Sequence, residues 1–154
     1  MVVYMLALLI GVVAGLRTMV AFAAASWAAR LGLVDLGGTW LAFLGYRWTA
    51  WIATALALGE FVTDQLPSTP RRTVPVQFGG RVIVGALAGA ALVAPAGSLI
   101  AGALAGVVGA VIGTLGGAEI RSRLAAAFGR DLPAALIEDA AALLAAVLIV
   151  FAMR

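Results

Sequence analysis

Arginine and carboxylate make up most of the reactive chemistry in this chain. It has ten arginines, seven acids, no histidine and no cysteine, and lysine and asparagine are also absent. Thiolate nucleophiles, disulfides and thiolate or imidazole metal sites are therefore excluded. The four serines, Ser26, Ser68, Ser98 and Ser122, lack a recognisable base or oxyanion context, and no GxxxxGKS loop is present. The expectation is a protein that is not an enzyme and has no cofactor and no metal site. A carboxylate and arginine site acting on a lipid phosphate is the one enzymatic chemistry the residues leave open.

The spacing of the remaining charges is informative. Arg17 lies in the middle of a long apolar run, where an isolated charge costs from about 3 to over 10 kcal/mol unless paired or hydrated. It either forms an ion pair with Glu60 or Glu138 that fixes helix register, or contacts an anion or headgroup inside a cavity. Glu60 and Asp64 are four residues apart and share a helix face, so they could share a proton, hold a hard cation or pair with arginines. Pairing is favoured for Asp64, and Glu60 is left open. Glu119, Arg121 and Glu138 complete the candidate set for a polar cavity, with Arg17 and Glu60 in its depth and Arg121 and Glu138 at its mouth.

The elements that must carry these residues are membrane helices. Hydrophobic residues make up 64% of the 154 and charged residues 11%, against about 25% charged in soluble domains. Mean hydropathy is +1.14, and apolar runs repeatedly reach the roughly 20 residues that cross a bilayer. The fold class expected is all-α, a polytopic integral membrane bundle forming a single domain over residues 1–154. Its five segments fall at about 2–29, 41–65, 81–94, 98–127 and 132–153, with a cytoplasmic loop at 67–80. The third, "VIVGALAGAALVA", covers only about 20 Å, which makes it a short span or a re-entrant one. Trp40, Tyr46, Trp48 and Trp51 around Arg47 form an aromatic belt at one membrane surface. Asp131 is the expected N-cap of the last helix, with Pro133 in its first turn.

If each segment crosses once, Arg71, Arg72, Arg81, Arg121, Arg123 and Arg130 share the side of the N-terminus, and Arg30, Arg47 and Arg154 lie opposite. The positive-inside bias then places the N-terminus in the cytoplasm. Arg71, Arg72 and Arg81 act as topology markers or headgroup contacts. Nucleic-acid binding is excluded, because the arginines are too few for a basic groove. Gly102, Gly106, Gly109, Gly113 and Gly117 stack on one helix face as a glycine zipper, and Gly85 and Gly89 form a matching face. Packing of these two segments on each other is expected, with a homodimer through the same helices as a second use. Membrane lipids are the remaining partner.

"GLR" at Gly15–Arg17, "GEFVTDQLP" at 59–67 and the Gly and Ala-rich hairpin that follows resemble the uncharacterised bacterial integral membrane proteins catalogued as domain of unknown function 4126. The resemblance covers most of the chain, departs at "STPRRTVP", and implies an integral membrane fold without an activity. The leading functional expectation is a small transporter, channel or lipid-handling protein with a charged cavity open to the cytoplasm. The alternative is a structural or partner-binding membrane subunit whose buried charges only latch helices.

Overall fold

The computed structural model describes residues 1–64 and 73–154. Its regular elements are all helical: α1 (Val2–Leu16), α2 (Thr18–Arg30), a 3-10 segment (Trp40–Gly45), α3 (Arg47–Thr63), α4 (Pro75–Val93), a 3-10 turn (Ala94–Ala96), α5 (Leu99–Phe128) and α6 (Asp131–Ala152). Three stretches, Pro75–Ala96, Leu99–Phe128 and Asp131–Ala152, are long and apolar enough to cross a membrane. Large side chains such as Ile100, Leu104 and Leu144 point outward, while small ones such as Ala53, Ala110 and Ala142 fill the interior. That distribution suits a lipid solvent, in which burying leucine gains little and close packing of small residues gains more.

The tightest packing joins α1, α4 and α5. A Cβ added at Gly89 would fall 2.9 Å from the Gly106 Cα, and one at Gly102 would fall 2.8 Å from the Val93 Cβ. The same helix uses Gly109 and Gly113 against α1, where an added Cβ would lie 2.8 Å from the Val12 amide nitrogen and 2.9 Å from its carbonyl carbon, respectively. The glycine series is thus divided between two neighbours of the same chain. Gly117 is buried as well. A homodimer seam through Gly102, Gly106, Gly109 and Gly113 would meet surface that α1 and α4 already cover.

These contacts also set helix direction. Gly11 meets Gly106 and Gly15 meets Ala110 and Thr114, so α1 runs parallel to α5. Gly85 meets Gly106 and Gly89 meets Gly102, so α4 runs antiparallel to both. Met1 therefore lies at the end of the bundle that holds the α4–α5 turn. The second arm, α2, does not prolong α1. It returns along α3 and α6, placing Val20, Ala24 and Ala28 in one core cluster with Ala142, Ala146 and Ile149. Arg17, extended at φ −139° and ψ 104°, is the corner between the two arms.

Residues 2–29 are not one crossing helix but two arms that leave and rejoin the same end. The N-terminus is consequently opposite Arg81, Arg121, Arg123 and Arg130, not beside them. The segment at 81–94 is not short, because its helix starts at Pro75 and has 19 residues, about 28 Å. Pro75 occupies the first helical position, where a missing N–H leaves no bond unmade. The predicted loop at 67–80 gives way to helix from Pro75, and its part at 67–72 lies outside the described residues. Asp131 is the first residue of α6 rather than its N-cap, and Arg130 holds the cap position.

Candidate functional site

A helix corner inside a bundle frees backbone groups that water cannot reach. In an uninterrupted helix the amide of Met19 would bond the carbonyl of Gly15, one turn back. Here the amides of Thr18 and Met19 donate instead to the two carboxylate oxygens of Glu60, at 2.8 and 2.9 Å. On the other side of the corner, Arg81 Nη1 donates to the carbonyls of Gly15 and Leu16, at 2.8 and 2.9 Å. An anion thus caps the N-terminus of α2 and a cation caps the C-terminus of α1, the signs that helix dipoles favour. Arg81 is 3% exposed. Its guanidinium caps α1 inside the bundle, so it does not serve as an exposed headgroup contact.

Arg17 itself is fully buried. Its Nη1 pairs with Asp64, at the C-terminal cap of α3, and its Nε pairs with Asp139 on α6. Its Nη2 has no hydrogen-bond partner among the described residues, and the guanidinium carbon lies 6.0 Å from the Phe61 ring centroid. The expected partners, Glu60 and Glu138, are not the ones used. Glu60 is taken by the backbone, and Asp139, one residue beyond Glu138, faces Arg17.

Arg121 extends the network toward the α5–α6 turn. Its Nε and Nη2 hold Asp131 at 2.9 and 2.5 Å, a two-pronged contact that suits a planar guanidinium. Its Nη1 lies 3.5 Å from Glu138 and 3.9 Å from Asp64. Asp64 therefore bridges Arg17 and Arg121, and one set of charges links α3, α5 and α6 to the corner. Glu119 lies outside this network. It pairs with Arg123 one turn away at 2.6 Å, both side chains being largely exposed. Arg71 and Arg72 fall outside the described residues.

The expected cavity is overturned by this geometry. Both half-helix ends are occupied by Glu60 and Arg81 of the chain itself. Arg17 and Arg121 are likewise held by internal carboxylates, so these charges latch helices to one another instead of lining an open cavity. The sequence does not reveal the roles of Asp139 and Arg81, because it places charges along a helix but not across from one. The signal for Arg81 is its position six residues inside a helix that starts at Pro75. No family profile, curated protein or solved structure matches this chain, so the site is read from its own geometry.

Proposed function

We propose that this chain is a structural or partner-binding membrane subunit whose buried charges latch its helices. The self-capped corner at Arg17 carries this reading, since every charge brought to it has a partner from the same chain. The end bearing Arg81, Arg121, Arg123 and Arg130 faces the cytoplasm by the positive-inside bias, which puts Met1 and Arg154 on the opposite side of a bacterial inner membrane. On this reading α3 to α6 cross the membrane, and α1 with α2 enter and leave from one side. The resemblance to domain of unknown function 4126 belongs to the same proposal. Its short motifs supply Arg17, Glu60 and Asp64, which meet at the corner.

Replacing Arg17 together with both of its carboxylate partners tests the reading, because an apolar substitute for a buried triad is often neutral or stabilising, whereas removing one partner strands a charge. The triple variant Arg17→Met, Asp64→Leu, Asp139→Leu should melt close to the parent in detergent and retain the proteins that co-purify with it. Arg17→Met alone should melt well below both. A triple variant that folds like the parent yet abolishes a cellular phenotype of the gene would show that the charges act on something other than helices.

A further inference from the structure

Between α2, α3 and α6, on the Met1 side of the corner, lies an almost wholly apolar groove of about 400 Å³. Ala24 is buried at its base, and Leu58 of α3 and Leu143 and Val147 of α6 are exposed along its sides. Phe61, the ring that Arg17 approaches, lines it too. Arg154 is also part of its lining. From Leu143 to Arg154 the groove follows α6 for about 16 Å at the helical rise. That is close to half of a hydrocarbon core about 30 Å thick, the depth of a single leaflet.

The groove has the shape and chemistry of a lipid tail with a charged head. Arg154 lies over the Phe151 ring, 4.6 Å from its centroid, and pairs with no carboxylate among the described residues. Arg30 and Arg47 lie at the same end of the bundle, with Asp35 as the single acid there. Trp27 and Trp51 meet edge to face at 5.2 Å, aromatic rings of the kind that mark the headgroup level. We propose that this groove binds one acyl chain of an anionic phospholipid, with the lipid phosphate paired to Arg154. The lipid is held as a packing element between α3 and α6, in a groove that adjoins the charged corner at Phe61.

The test uses the full-length protein in nanodiscs of equal phosphatidylglycerol and phosphatidylcholine, with retained lipid counted by native mass spectrometry. One lipid per chain is expected to survive, phosphatidylglycerol preferred about fivefold, the ratio that about 1 kcal/mol from one arginine gives. Arg154→Gln should erase the preference while a lipid is still retained. Val147→Trp, at an exposed wall position, should remove the retained lipid of both kinds. If circular dichroism shows that variant unfolded, Leu58→Trp on the facing wall provides the same readout. No retained lipid in the parent, equal retention of the two lipids, or unchanged retention in a folded tryptophan variant would each overturn the proposal. So would a tryptophan variant that dissociates an oligomer without changing lipid content, because the groove would then hold another chain.

Discussion

Arg17 shows how much a single buried charge depends on its partners. Removing it leaves Asp64 and Asp139, whose side chains are only 15% and 13% exposed, without the cation between them, so Arg17→Met should cost about 3–5 kcal/mol. A lower thermal midpoint in detergent checks this. Arg17→Lys should recover only part of the loss, because one ammonium cannot reproduce a guanidinium that engages two carboxylates through separate nitrogens. Glu60→Gln keeps one acceptor oxygen and loses the other, which removes one charge-assisted bond of about 1.5–3 kcal/mol. Hydrogen exchange should accelerate at the Thr18 and Met19 amides before it does elsewhere in α2. Glu119→Ala serves as a control, since an exposed pair four residues apart contributes little, and its midpoint should match the parent.

At the scale of elements, α5 is held on two sides by its lack of side chains. Gly106→Leu would drive a side chain into the backbone of Gly85, an overpacking for which backbone shifts cost about 1–3 kcal/mol or more. Gly116 lies on the same helix, and a Cβ there meets nothing within 4 Å. Gly116→Leu should therefore leave the melting midpoint unchanged or raise it, since leucine also has the better helix propensity. Equal effects of the two substitutions would show that backbone contact by α4 does not hold α5 in place. The corner between α1 and α2 belongs to this scale too. It contains no proline, and the groups that cap it come from α3 and α4.

For the whole molecule, the helix directions make a prediction that a cysteine-free chain allows to be tested directly. Single cysteines placed by Val2→Cys and Met153→Cys should react with a membrane-impermeant maleimide from the same side. Ala127→Cys, near the α5–α6 turn, should react from the other. Labelling of Val2→Cys and Ala127→Cys from one side would restore a first segment that crosses and would break the parallel arrangement of α1 and α5.

Much of this protein is legible in the order of its residues. Apolar runs of bilayer length can satisfy their backbone in lipid only as helices, which makes the all-helical membrane class a local consequence of composition. The glycine spacing on α5 likewise marks a face made for close approach, since periodicity alone places those residues together. Glu60 and Asp64 could be placed on one helix face for the same reason. What periodicity cannot supply is the neighbour on the other side of a contact. Arg81 reads as the flank of a loop, at the very start of a helix, until α4 is seen to begin at Pro75, and Glu60 resembles a partner for Arg17 until the corner frees two amides that take its carboxylate. The corner itself was invisible, because residues 2–29 have no proline and read as continuous helix, and only the capping groups from α3 and α4 make a break there tolerable. Composition determined the solvent and the helices. The tertiary structure decided which charges meet, because a break in a buried backbone is stable only where distant residues satisfy what it exposes.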